Sequence, residues 1–274
     1  MNKLMDRVAL VTGAGRGIGA ATAAKLAGEG ARVVVNDLDA DAVQSTIAHI
    51  EHAGGRAHAC VGDLTDPDFP ERLVRAAVDA FGGLDIVVNN AGYIWNGALH
   101  NHTDEQWQAM LDVHATAPFR VLRAFFPVLK AQHQREIANG EAPRCRKVVN
   151  VSSVSGTRGA ATQIAYSAGK AAVVGITKTL AQEWGRYHVT VNAVAFGHIE
   201  TRLTQPYEGE PPRIPVKDRR LRVGLTRAQV DNVRAQSPLG RSGTVADAAG
   251  AIYLLCIPES DYVSGEVLTC AGGA

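Results

Sequence analysis

Tyr166 and Lys170 stand four residues apart in the run YSAGK. On a helix their side chains lie about 40° apart on one face, one turn up the axis. A phenol that passes a proton near neutral pH starts from an ordinary pKa of about 10, and a neighbouring cation favours its phenolate. Lys170 can supply that cation. Ser153, thirteen residues before Tyr166 at the end of an apolar run, can return by a loop and donate a hydrogen bond to a substrate oxygen. Together the three make a candidate acid/base site within the stretch Ser152 to Lys170. A tyrosine and a lysine at this spacing are also a common half-solvated surface pair, so the reading depends on what the rest of the chain brings to them.

The N-terminal half brings a nucleotide-binding pattern. RVALVT (7–12) is a β-branched run that ends in Gly13, Ala14, Gly15, Arg16, Gly17, Ile18 and Gly19, followed by alanine-rich helical sequence to about Glu29. Glycines in such a turn let the backbone approach a pyrophosphate, whose charge the following helix N-terminus favours. The next strand ends in Asp37, 24 residues after Gly13. A carboxylate there can accept from both adenosine ribose hydroxyls and repels a 2′-phosphate, which favours NAD over NADP. Arg16 argues the other way, but no second basic residue follows Asp37. Helix at 40–52, strand at 56–61, helix at 67–81 and strand at 84–88 continue the alternation, which implies a parallel sheet. After the third strand, Asp63 and Leu64 stand where the carboxylate can bond an adenine amino group or cap the helix from Pro67. After the fourth come Asn89, Asn90, Ala91 and Gly92, at a strand end where doubly wound sheets bind ligands.

Downstream, residues 103–134 read as one long helix capped by Thr103, with His114 inside it and a kink expected at Pro118. Residues 135–146 read as an exposed loop before a strand at 147–151. The active-site helix is predicted to run to about Arg186, followed by a strand at 189–194. Residues 198–240 are the irregular part. They contain the basic run RIPVKDRRLR at 213–222, read first as a solvated face, and a helix at 227–236. A helix at 244–256, a turn and a strand at 266–270 close the chain, giving a single domain over 1–274.

Of the 274 residues, 46% are hydrophobic and 20% charged, and the formal charge is +1. That is enough to bury a full core, and it gives no field to recruit nucleic acid or an anionic membrane. Cys60, Cys145, Cys256 and Cys270 are far apart with no CxxC pair, so free thiols in a reducing cytoplasm are expected and a metal centre is not. No run approaches the roughly 20 apolar residues of a membrane span.

TGAGRGIG at 12–19, NNAG at 89–92, Ser153 and YSAGK at 166–170 together resemble the short-chain dehydrogenase/reductase family, over essentially the whole chain. The resemblance implies a single Rossmann-like doubly wound α/β domain, a seven-stranded parallel sheet in the order 3-2-1-4-5-6-7 with helices on both faces, and a homotetramer or homodimer. It makes Tyr166 the general acid/base, Ser153 the residue that orients the substrate oxygen, and Lys170 the group that lowers the Tyr166 pKa and binds the nicotinamide ribose. The cofactor would be held by Asn90, Val113, Gly197, Ile199 and Thr201 besides the N-terminal residues. Two departures stand out: His114 replaces the family's usual asparagine, which holds a proton-relaying water, and Phe196-Gly197 replaces Pro-Gly. The surroundings of His114 and VVVNDL at 33–38 resemble enzymes that oxidise 3-hydroxyacyl-CoA, and the layout is similar to 3-oxoacyl-ACP reductases. These imply a CoA- or ACP-linked thioester substrate under a lid around 198–240, with the 213–222 run meeting its phosphates. Hydroxysteroids, sugars and polyols are alternatives, as are a cofactor-binding regulatory protein without turnover and a nucleotide-sugar epimerase.

Overall fold

The computed structural model describes residues 2–274. Seven parallel strands form its sheet in the order β3-β2-β1-β4-β5-β6-β11: β1 (Val8–Val11), β2 (Arg32–Asp37), β3 (Arg56–Val61), β4 (Ile86–Asn89), β5 (Arg146–Ser153), β6 (Val189–Phe196) and β11 (Val267–Cys270). The strand order reverses direction between β1 and β4, which opens a crevice at their C-terminal ends. Period-2 alternation divides the core in two. Ala9, Val11, Val33 and Val35 face one hydrophobic cluster, with Leu26 of α1 (Gly17–Gly28), Val43 and Ile47 of α2 (Ala40–His52) and Ile252 of α9 (Val245–Leu254). Val8, Leu10 and Val34 face the other, with Leu73 of α3 (Phe69–Phe81) and Phe125 and Leu129 of α5 (Ala117–Ala138). Among the described residues no helix is long and apolar enough to cross a membrane.

Three expectations are corrected. The predicted 103–134 helix is two α-helices, α4 (Asp104–Leu111) and α5, joined by a π-helical turn at Asp112–Thr116. Thr103 caps α4 as expected, in a reciprocal pair with Gln106. The disruption falls before Pro118 because a proline in the first turn of α5 lacks only an N–H that would be free there anyway. The wide turn takes up the mismatch.

The 135–146 segment is not an exposed loop throughout. α5 continues to Ala138, and Glu136 and Arg146 are both buried. Arg146 Nη2 donates to Glu136 Oε1 at 2.5 Å and its Nε lies 3.5 Å from Asp85 Oδ1. Asp85 Oδ2 also accepts from the Val8 N–H at 3.0 Å. This ionic cluster ties the start of β1, the entry to β4, the start of β5 and the end of α5 together, at the N-terminal ends of the central strands, opposite the crevice.

The basic run is an antiparallel hairpin, β8 (Arg213–Val216) and β9 (Arg219–Arg222), following the short strand β7 (Pro206–Tyr207) and preceding β10 (Leu225–Thr226) and α8 (Arg227–Gln236). Ile214, Val216, Leu221 and Val223 are buried against Tyr93, Trp95 and Leu203. Alternating apolar residues inside a charge run make it a half-buried strand pair, not a solvated face.

Candidate active site

Ser153 ends β5 and caps α6 (Val154–Arg158), accepting from the Ser155 N–H at 3.1 Å and donating to the Phe196 carbonyl at 3.4 Å. α7 (Ile164–Trp184) carries Tyr166 and Lys170 on one face. Buried polar bonds fix its position. Asn89 Nδ2 donates to Asn150 Oδ1 at 2.8 Å, Asn150 Nδ2 donates to Thr177 Oγ1 at 2.9 Å, and Ser152 Oγ donates to the Lys170 carbonyl at 2.7 Å. Asn150 and Thr177 escaped the sequence reading, although an asparagine inside the apolar strand KVVNVS is itself a signal that something must satisfy it.

Lys170 Nζ donates to the Val151 carbonyl at 2.7 Å and lies 5.8 Å from the centroid of the Tyr166 ring. Burial pushes the phenol up to about 12, which the Ser153 hydroxyl beside it eases only in part. Burial also brings Lys170 down to about 7. The expected depression of the tyrosine by the lysine is therefore reversed in the free protein, because withdrawal from water outweighs a cation whose hydrogen bond is turned to a backbone carbonyl.

His114 sits in the π-helical turn, 2% exposed, with its ring edge-on to Tyr166 at 5.0 Å. Its Nε2 lies 2.8 Å from the Tyr93 carbonyl oxygen. A carbonyl only accepts, so Nε2 carries the proton and Nδ1, buried without a partner, is a bare acceptor. Burial, reinforced by Lys170, holds the imidazole pKa well below its ordinary range and the ring neutral. The ring is clamped between two glycines: a Cβ on Gly92 would meet Cε1 at 2.3 Å, and one on Gly169 would meet the His114 Cβ at 2.8 Å. The glycines of NNAG and YSAGK thus leave the space this imidazole fills. Gly92→Ala should overpack the clamp and cost about 1–3 kcal/mol of stability, read as a lower Tm. An unchanged Tm would show that the ring has room to move.

These side chains open on a cleft of about 960 Å³ that runs from Asp37 to Tyr166. It is lined by Ser153, Tyr166, Lys170 and His114 and by every candidate cofactor-binding residue except Gly15; Ala14 and Asn89 of the same loops also lie outside its lining. Gly15 instead donates its N–H to Asp37 Oδ2 at 3.0 Å, holding the carboxylate at the end of β2. Gly13, at φ +61°, is where the turn needs a glycine: a Cβ there would stand 2.6 Å from Ala91 Cα. Asn90 lines the cleft while its Nδ2 donates to the Thr12 carbonyl at 2.8 Å, tying the two loops together. Arg16 is paired with Asp39 at 2.8 Å, and that carboxylate also caps α2. Gly197 is fixed to β11 through the Cys270 carbonyl at 3.0 Å, and Ile199 bridges to Gly243.

Asp63 does not cap α3. Its Oδ1 accepts from the Thr65 N–H at 2.8 Å, and its Oδ2 pairs with Lys217 of the hairpin at 2.5 Å. Burial alone would raise its pKa, but Lys217 and Thr65 outweigh that and hold it low. Arg219 reaches Glu105 of α4 at 2.7 Å and lies over Trp95. The hairpin thus spans the cleft mouth. Sequence reasoning also missed Gln163, which lines the cleft and accepts from Ser155 Oγ at 2.8 Å.

A family model described as short chain dehydrogenase matches residues 7–211. The 3-oxoacyl-(acyl-carrier-protein) reductase FabG of Vibrio cholerae is 36% identical over 270 residues, 98% of this chain and 98% of that one. The (2S)-[(R)-hydroxy(phenyl)methyl]succinyl-CoA dehydrogenase subunit BbsD of Thauera aromatica is 33% identical over 270 residues, 98% of this chain and 97% of its own. Among solved structures, a short chain dehydrogenase from Burkholderia cenocepacia in complex with NADP is similar at TM-score 0.81 and 32% identity, covering 99% of this chain and 98% of that one.

Proposed function

The chain belongs to the short chain dehydrogenase family, and on that premise we propose that it interconverts a secondary alcohol and a ketone with NAD(H), acting on a 3-hydroxyacyl or 3-oxoacyl thioester. It is an oxidoreductase of the nicotinamide class. The observation that carries the finer reading is the Tyr166 phenol on the cleft wall, with Ser153 beside it and the Lys170 ammonium buried behind.

Tyr166, kept protonated by burial, donates its proton to the substrate oxygen in the reductive direction and takes it back in the oxidative one. Ser153 releases its 3.4 Å bond to the Phe196 carbonyl and turns its hydroxyl to that same oxygen. The cradle fits the cofactor: Gly13, Gly17 and Gly19 of the turn line the cleft with bare backbone where a pyrophosphate would approach, and Lys170 lines the same cleft for the nicotinamide ribose. When bound, the nicotinamide supplies or accepts the hydride. His114 offers Nδ1 as an acceptor for a relaying water, its one proton being committed to Tyr93.

Asp37 supports NAD, since its carboxylate is held at the end of β2 where a 2′-phosphate would meet its charge. Arg16, the group that would welcome such a phosphate, is already neutralised by Asp39. The Burkholderia structure carries NADP, so the two cofactors are to be compared directly. The relatives support the thioester, being named for acyl-carrier-protein and CoA substrates. The test is a panel of alcohols and ketones, 3-hydroxybutyryl-CoA and acetoacetyl-CoA included, followed by absorbance with each cofactor. We expect thioester turnover with a higher kcat/KM for NAD. Preference for NADP would overturn the role of Asp37, and turnover confined to steroids, sugars or polyols would overturn the substrate.

A further inference from the structure

Half of the lysines and arginines of the lid have acidic partners. Lys217 is paired with Asp63, Arg219 with Glu105, Arg227 with Glu208 and Arg234 with Glu200. Four are different. Among the described residues, Arg202, Arg213, Arg220 and Arg222 are exposed and have no carboxylate partner in the protein.

Three of the four share one face of the hairpin. Arg213 is directly opposite Arg222, and Arg220 is opposite Pro215. Alternation therefore turns Arg213, Arg220 and Arg222 away from the apolar face of Ile214 and Leu221. Directly opposed side chains on such a pair have Cβ atoms about 4.5–5.5 Å apart, and like charges there destabilise it. A bound anion would relieve that repulsion. Arg202 and Arg222 also line the cleft that holds Tyr166, so the cationic face borders the route a substrate takes.

We propose that Arg202, Arg213, Arg220 and Arg222 form a phosphate-binding subsite for the handle of the substrate, a phosphorylated pantetheine arm. The inference rests on the thioester reading above. Planar guanidiniums suit this task, because each can offer two parallel donors to one phosphate group. Lys217 and Arg219, though in the same basic run, are committed to Asp63 and Glu105 and are not part of the subsite. The phosphate can come from the arm itself or from the nucleotide end of CoA, and the ligands below separate the two.

The experiment is calorimetric binding of CoA, phosphopantetheine and pantetheine to the full chain, with NADH saturating so that the adenosine end of the cleft is filled. The partner protein is the triple variant Arg213→Gln, Arg220→Gln, Arg222→Gln. We expect the phosphorylated ligands to lose about ten-fold or more in affinity in the variant, as loss of charge-assisted hydrogen bonds implies. Pantetheine should bind both proteins equally, and CoA affinity should fall with added salt. The variant Tm should be equal or higher, because the repulsion is gone. Phosphopantetheine as tight as CoA assigns the subsite to the arm, whereas much tighter CoA assigns it to the nucleotide. Equal wild-type affinity for CoA and pantetheine, or undiminished CoA binding in the variant, overturns the subsite. Phosphate-dependent binding without turnover of any thioester would leave the subsite standing and remove the substrate reading instead.

Discussion

Tyr166→Phe should lower turnover by about 10²–10⁴-fold, the range a positioned proton donor contributes, while the protein keeps its fold and its affinity for the cofactor. The substitution deletes one oxygen from a ring that stays packed edge-on to His114, so the loss can be read as lost proton transfer. The pH dependence gives an independent check. With the phenol held near 12 in the free protein, Tyr166 is a proton donor throughout the neutral range. Ketone reduction should therefore show no titration of Tyr166 there. Alcohol oxidation needs the phenolate and should climb with pH. Lys170, brought down to about 7, changes charge inside this range and is the group whose titration the profiles should display. Stopped-flow or steady-state rates across pH settle both points. Full activity in Tyr166→Phe would remove the proposed mechanism.

Glu136→Gln should cost about 3–5 kcal/mol, the expense of leaving a buried cation without its partner. At roughly 2–4 °C per kcal/mol for a chain of this size, that lowers the Tm by on the order of 10 °C. Arg146 is 1% exposed and cannot recover the loss from water. Asp85, at 3.5 Å from its Nε, compensates only in part. Burial by itself would raise the Glu136 pKa, but the hydrogen bonds and charge of Arg146 outweigh it and hold it low. A carboxylate with a depressed folded-state pKa contributes stability that is fully present above its unfolded value of about 4.3 and is lost as pH falls through the folded one. The penalty of Glu136→Gln should therefore be constant at neutral pH and shrink in acid. Glu136→Leu combined with Arg146→Met should restore part of the stability, since apolar pairs often replace buried ion pairs without loss, while buried Asp85 is left with Arg7 at 3.9 Å and the Val8 N–H. Thermal melts of the three proteins at neutral and acid pH test this. A wild-type Tm in Glu136→Gln would show that the cluster contributes nothing.

What the sequence disclosed and what it hid follow from the range of the interactions. The order of the sheet came from the family resemblance and not from periodicity, which gave only parallel strands, whereas the capping by Thr103 and the meeting of Ser153, Tyr166 and Lys170 in one cleft were legible in the residues, because cap chemistry and i,i+4 spacing are local. The π-helical turn was not, because it depends on Tyr93 and two distant glycines closing around His114. Glu136 and Arg146 look like surface residues until the sheet brings Asp85 beside them. The hairpin was masked by its own arginines, whose charge hides the alternation of Ile214, Val216 and Leu221. The direction of the Tyr166 shift was missed for a similar reason, since spacing places a cation nearby but does not report how dry the site is.

The strap of residues 213–222 is anchored on both banks of the cleft by ion pairs that remain partly in water, Lys217 with Asp63 and Arg219 with Glu105. Exposed pairs of this kind are each worth only about 0.2–1 kcal/mol. The two anchors therefore contribute little to holding the strap, and the buried packing of Ile214, Val216, Leu221 and Val223 against Tyr93, Trp95 and Leu203 carries most of it. Added salt, which screens both anchors at once, should then loosen the orientation of the strap over the cleft while leaving it seated on its apolar face.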